Sequence, residues 1–127
     1  MNQRLYKTER LKSQKIIETL FAKGEKLSSY PVKLIYQKNE NTSAIAHQVA
    51  FSVPKRNIKK AVDRNKIKRR MREAYRKNKH LLNLPDNIKL AYMFIYLEKT
   101  VFTFQEIEQK IKILLLRLNE KNFNSEN

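Results

Sequence analysis

Residues 51–75 read FSVPKRNIKKAVDRNKIKRRMREAY, and the change of period inside them decides the architecture. Upstream of Pro54 the side chains alternate. Ile45, His47, Val49, Phe51 and Val53 fall on one face, and Ala44, Ala46, Gln48, Ala50 and Ser52 on the other. A period of two is that of a strand, and the small residues of the second face leave room above it. From Ala61 to Lys79 the period becomes helical. At about 100° per residue, Ile67, Met71, Ala74 and Tyr75 share one arc, which must face a core. Asn65, Lys68, Arg69, Arg72 and Arg76 occupy an adjoining arc, with Lys66, Arg70 and Lys77 on the other flank.

The charge on this helix is its second message. Residues 55–79 carry thirteen Lys or Arg against Asp63 and Glu73, so eleven of the chain's sixteen net positive charges lie in 25 residues. Lys68, Arg72 and Arg76 repeat at i, i+4, a spacing at which like charges destabilise a lone helix by a few tenths of a kcal/mol per pair. A face built only for solvation would mix signs. Arginine suits planar, bidentate contacts with phosphate, and Asn65 within the stripe can hydrogen-bond a base edge or a sugar. A small domain this basic calls for an anionic partner, nucleic acid before an anionic membrane surface.

Working outward, Ser13 is positioned to cap a short amphipathic helix carrying Ile16, Ile17, Leu20 and Phe21, with Lys23 in its last turn and Gly24 expected as a left-handed C-terminal cap. Val32, Leu34 and Tyr36 alternate with Lys33, Ile35 and Gln37 as a strand beside Pro31, and the polar run 37–43 is a turn. Leu84-Pro85-Asp86-Asn87 breaks the chain after the basic helix. Ile88 to Leu97 is apolar enough for a buried strand. Thr103 and Glu106 form a capping box ahead of a helix striped by Phe104, Ile107, Ile111, Leu114, Leu115 and Leu118. The order is helix, strands, basic helix, strand, helix: an α/β (α+β) two-layer sandwich with a small mixed sheet and three helices. Its length fits one domain over residues 1–120, with a polar tail, 121–127, expected to fray.

Other classes are poorly served. The longest apolar stretch, Leu90 to Leu97, is about half the roughly 20 residues of a spanning helix. Met1 to Lys15 is polar and charged, unlike a secretory signal. With no cysteine there is neither a disulfide framework nor a thiolate metal site, and a cytoplasmic setting fits. His47 and His80 are the only histidines, and the acids are scattered without metal-ligand spacing. No catalytic set is expected in the chain itself.

The stretch 51–75 also resembles the signature of the bacterial ribonuclease P protein family, in which a Ser-Val-x-Lys-Lys-like strand end is followed by Ala-Val-x-Arg-Asn-Arg-Ile-Lys-Arg. Arg64, Asn65, Ile67, Lys68 and Arg69 match directly; Lys66 stands where the family usually has arginine. Arg10-Leu11-Lys12 and Phe21-x-x-Gly24 extend the resemblance. It implies a left-handed β-α-β crossover and a role in removing the 5′ leader of precursor tRNA. Catalysis would lie with a large RNA subunit that holds Mg2+, whose magnesium requirement the protein lowers and whose substrate range it broadens. The implied partners are that catalytic RNA, in a 1:1 ribonucleoprotein with monomeric protein, and precursor tRNA, with no membrane and no DNA. By position, Arg64, Asn65, Lys66, Lys68, Arg69, Arg72 and Arg76 would contact the catalytic RNA. Ile17, Phe21, Tyr36, Ser52, Lys55 and Arg56 would line a leader cleft, with Ile17 replacing a phenylalanine common in the family.

Two alternatives explain the charge. One is a ribosomal protein or RNA chaperone without a cleavage partner. The other is a helix-turn-helix DNA binder, which requires a short helix before the recognition helix, where this sequence has an alternating strand and Pro54.

Overall fold

A computed structural model of the chain describes residues 7–39, 46–121 and 123. Its regular elements are α1 (Gln14–Lys23), β1 (Glu25–Ser29), β2 (Val32–Lys38), β3 (Gln48–Ser52), α2 (Ala61–Asn78), β4 (Leu90–Tyr96) and α3 (Phe104–Leu118), with short 3-10 turns at Lys7–Glu9 and Lys79–Leu81. The strands form one sheet in the order β1-β2-β4-β3. Only the β3–β4 pair is parallel, as a crossover through α2 requires.

β4 explains its own composition. All seven of its residues are buried, because both faces of this inner strand are covered. Leu90, Tyr92, Phe94 and Tyr96 face a core shared with α2 and α3. Ala91, Met93 and Ile95 face a smaller cluster completed by Leu11, Ile16, Leu20 and Ile35. The expected α+β sandwich of three helices and a small mixed sheet is therefore the observed one, with α1 alone on the second face.

The helical wheel of α2 holds: Ile67, Met71, Ala74 and Tyr75 are all buried. Phe51, Tyr75, Tyr92 and Phe94 form an aromatic block with ring centroids 5.8–6.0 Å apart, mostly in the edge-to-face geometry that ring quadrupoles favour. The Tyr75 and Tyr92 hydroxyls lie 2.6 Å apart, so each buried phenol satisfies the other, and burial raises both pKa values. The amide of buried Asn78 donates to the Ala74 carbonyl (2.8 Å) and to Glu108 (2.9 Å), joining α2 to α3.

Ser13 caps α1 by accepting from the Ile16 amide, and Thr103 with Glu106 forms the capping box of α3. Gly24 departs from expectation. Its φ of −63° and ψ of 149° are extended, not left-handed. What requires glycine there is space, since a Cβ would lie 2.5 Å from the Leu20 carbonyl oxygen. β1 was not anticipated either. Leu27 is its only buried residue, so it carries no alternation of its own and exists through pairing with β2, from Glu25↔Tyr36 to Ser29↔Val32. β3 is described from Gln48; the sequence reading that began it at Ala44 falls partly outside the described residues. Of the tail expected to fray, 122 and 124–127 lie outside the described residues; the Phe123 ring packs on the core, edge-on to Tyr36 at 5.9 Å.

Candidate nucleic-acid interface

Two surfaces meet along β3. The first is the outer face of α2. Asn65, Arg69 and Arg72 are exposed, with Lys66 and Lys68 half-buried beside them. Lys68, Arg69 and Arg72 have no hydrogen-bond or ion-pair partner among the described residues. Two of the residues expected to contact the catalytic RNA are engaged within the chain. Arg64 donates from Nη1 to the Ile58 and Lys59 carbonyls (3.0 and 2.8 Å), fixing the loop before α2. The Arg76 guanidinium is held by Glu73, one turn back, whose carboxylate pKa it lowers through that hydrogen bond. On the opposite flank Arg70 donates to the Phe102 carbonyl and Lys77 lies over the Phe104 ring, so that side of α2 is occupied by the approach to α3.

The N-terminal segment completes this surface. Leu11 is buried in the α1-side cluster and its amide donates to the Val49 carbonyl at 2.9 Å, which ties Arg10 to the outer edge of β3. Lys79 clamps the same segment through Glu9 at 2.8 and 3.0 Å. Arg10 and Lys12 thus reach a cavity of about 480 Å³ that they share with Phe51 of β3 and with Lys68 and Arg72 of α2; no acidic residue lines it. The sequence marked Arg10-Leu11-Lys12 without assigning it a role. An apolar residue between two cations was the available signal.

The second surface is the α1 side of the sheet. Strand register places Ser28, Lys33, Ile95 and Ser52 in one row, and Lys26, Ile35, Met93 and Ala50 in the next. Small residues at β3 keep the floor low. Ile17 and Phe21, one turn apart on the same flank of α1, border it: Ile17 packs against the cluster, whereas Phe21 remains 56% exposed. Ser52 is half-buried at the end of β3, followed by exposed Lys55 and Arg56.

Tyr36 does not belong here. Alternation puts it with Val32 and Leu34 on the α3 side, where it is 2% exposed, and its hydroxyl points to Glu25. Its neighbour Ile35 faces α1 instead, and so does half-buried Lys33, a cation that the sequence reading passed over although the same alternation locates it. His47 is a packing residue: its Nδ1 accepts from the Leu90 amide at 3.0 Å, its ring tilts against Tyr92, and burial with nearby Lys89 lowers its pKa to about 4. Among the described residues no three His, Asp or Glu side chains converge as a metal site would require. No helix there is long and apolar enough to cross a membrane.

A family model described as Ribonuclease P matches residues 5–119. The chain belongs to that family. It is similar to the ribonuclease P protein component of Porphyromonas gingivalis, 33% identical over 117 residues covering 90% of this chain and 85% of that protein. The component from Chlorobium phaeobacteroides is 35% identical, with 91% and 90% covered. Among solved structures, the RNase P protein from Thermotoga maritima superposes with a TM-score of 0.70 at 24% identity over 86% of this chain and 96% of that one. That from Staphylococcus aureus gives 0.68 at 20% over 87% and 94%. At such identities these two likenesses establish the fold.

Proposed function

We propose that this chain is the protein subunit of a cytoplasmic ribonucleoprotein ribonuclease P, in which it binds the catalytic RNA through α2 and the 5′ leader of precursor tRNA along the α1 side of the sheet. The observation that carries the reading is the set of cations without partners. Lys68 and Arg72 on α2 join Arg10 and Lys12 around a cavity with no acid in its walls, and Arg69 stands exposed on the same helix, an arrangement that costs self-repulsion unless phosphates neutralise it.

The residues divide the work. Arg69 and Arg72 offer bidentate donors to backbone phosphates, with Lys68 beside them and Asn65 able to hydrogen-bond a sugar or base edge. Arg64 acts by shaping the loop, and Arg76 contributes through its pair with Glu73. On the other surface, Phe21 offers a ring face for a base, and Lys33, Lys55 and Arg56 a cationic track, the combination by which single strands are held. Ser52 and Ala50 leave room for the strand to lie down. Among the described residues no cluster of His, Asp or Glu would hold magnesium, and in this reading hydrolysis of the leader phosphodiester belongs to the RNA subunit and its ions. The protein positions substrate and RNA, which is how it would lower the magnesium requirement and broaden the substrate range. A 1:1 complex with one protein monomer is the simplest stoichiometry.

The test is cleavage of a 5′-labelled precursor tRNA at low magnesium by a bacterial ribonuclease P RNA, with and without the protein. Strong rescue by the protein, none by protein alone, and loss of assembly in an Arg69→Glu/Arg72→Glu variant with unchanged circular dichroism are expected. Tight RNA binding without rescue across several RNA types would move the assignment to a ribosomal protein or RNA chaperone.

A further inference from the structure

A second cluster of cations lies apart from α2's outer stripe. β3 and β4 run parallel and end side by side, and the loops leaving them, 53–60 and 97–103, enclose a cavity of about 400 Å³ lined by Arg56, Lys59, Lys60, Asp63, Lys99 and Val101. Its walls are pinned. The Asn57 side chain donates to the Tyr96 carbonyl at 3.3 Å, tying one loop to the end of β4. Arg64 holds that loop from below through the Ile58 and Lys59 carbonyls. The Tyr96 hydroxyl donates to the Thr100 carbonyl (2.6 Å) and accepts from the Phe102 amide (3.0 Å), which fixes the other loop.

The cations around this fixed backbone are free. Arg56, Lys59, Lys60 and Lys99 have no side-chain hydrogen bond or ion pair among the described residues, and all four are exposed. Asp63 is the one acid in the lining, leaving a net of three positive charges. A cavity of this size falls in the range of small-ligand sites, about 300–1,000 Å³, enough for a phosphate with its ribose, and Val101, 39% exposed, gives the rim an apolar side for the sugar. Lys59, Lys60 and Lys99 have no part in the two surfaces described above, whereas Arg56 belongs to both the leader track and this cavity.

We propose that the cavity between the β3–α2 and β4–α3 loops is a further RNA-phosphate site, which takes one backbone phosphate of a strand leaving the α1 side of the sheet past Arg56. The inference rests on the ribonuclease P reading. The phosphate belongs either to a distal leader nucleotide or to the catalytic RNA, and the two sources share one chemistry.

The experiment uses full-length protein with catalytic RNA and precursor tRNA. Lys59→Gln/Lys99→Gln removes two exposed charges without creating repulsion. Loss of one phosphate contact lowers affinity by about tenfold at 50 mM salt and about fourfold at 200 mM, with the salt slope falling by about 0.7–0.9. Loss confined to precursors with long leaders assigns the phosphate to the leader; equal loss with catalytic RNA alone assigns it to that RNA. Because the chain has no cysteine, Val101→Cys gives a unique anchor for a tethered hydroxyl-radical source, and strand cleavage maps the RNA against Leu116→Cys on α3. An unchanged salt slope with both RNAs, and no cleavage above the Leu116→Cys control, would overturn the site. If Arg69→Glu/Arg72→Glu abolishes assembly in the same series, the ribonuclease P reading survives that result. Failure of the wild-type protein to rescue cleavage overturns both.

Discussion

Phe21→Ala separates an RNA-facing ring from a core ring. Full burial of a phenylalanine contributes about 1.5–3 kcal/mol by area, and truncating one in a packed core costs about 3–5 kcal/mol. With Phe21 56% exposed, less than half of that contact exists, so the variant should lose no more than about 1–2 kcal/mol of stability. A base stacked on the ring is worth about 1–3 kcal/mol, or roughly 5- to 150-fold in affinity. Only a precursor has a leader base to stack. Equilibrium binding of the reconstituted complex to precursor and mature tRNA should therefore show a selective loss for the precursor, beside a loss of no more than about 1–2 kcal/mol in urea unfolding. Tyr36 is the matched comparator, since it is 2% exposed and faces away from α1. Tyr36→Ala should destabilise by about 3–5 kcal/mol, whereas Tyr36→Phe should leave the precursor-to-mature ratio unchanged. Equal weakening of precursor and mature tRNA by Phe21→Ala, or a shifted ratio in Tyr36→Phe, would refute this division of the two sheet faces.

Two further expectations concern the scaffold. Burial, then Lys89, lowers the His47 pKa from 6.5 to about 4. The unfolded chain therefore binds a proton that the folded one refuses between those values, and the stability His47 contributes, full above pH 6.5, is lost as pH falls toward 4. Discounted for partial exposure this is on the order of 2 kcal/mol; urea unfolding from pH 7.5 to 4 should show a flatter decline in His47→Gln, and parallel curves would contradict it. Gly24→Ala would set a Cβ 2.5 Å from the Leu20 carbonyl oxygen, which already accepts the Gly24 amide at 2.9 Å. The end of α1 must shift, at a cost of about 1–3 kcal/mol, and a thermal melt matching wild type would show that the joint has slack.

Much of this was legible in the sequence because two periods were strong. The α2 wheel assigned its buried and basic arcs from residue types alone, and β4's unbroken apolar run declared an inner strand. What failed was local pattern without a tertiary partner. β1 has one apolar residue, so nothing in Glu25–Ser29 marks a strand until β2 supplies its hydrogen bonds. Tyr36 was carried to the cleft by position from the family resemblance, although its parity with Val32 and Leu34 already placed it on the other face. Lys33 was overlooked because a lone lysine in a strand looks like solvated surface until the register sets it in a row with Ser28, Ile95 and Ser52. The cavity at the ends of β3 and β4 was beyond sequence reasoning, since Lys59 and Lys99 are brought together only by the parallel pairing of those strands.

The same pairing explains why the interface gathers along β3. Among the described residues, the Leu11 amide on the Val49 carbonyl is the backbone bond that covers its outer edge. An uncovered strand edge invites pairing with another chain, and charge is the usual defence. Here Arg10, Lys12, Lys68 and Arg72 stand around that edge, and Lys55 and Arg56 follow its last residue. Like charges from a second copy would repel each other there, while a polyanion would be drawn in. The cationic ring therefore keeps the edge from templating a strand, and in the proposed function it also leaves a recess beside Val49, Ala50 and Phe51 for an RNA phosphate. That economy is consistent with Ala50 and Ser52 being small, since bulk at those positions would raise the floor between the two proposed RNA surfaces and part what β3 now joins.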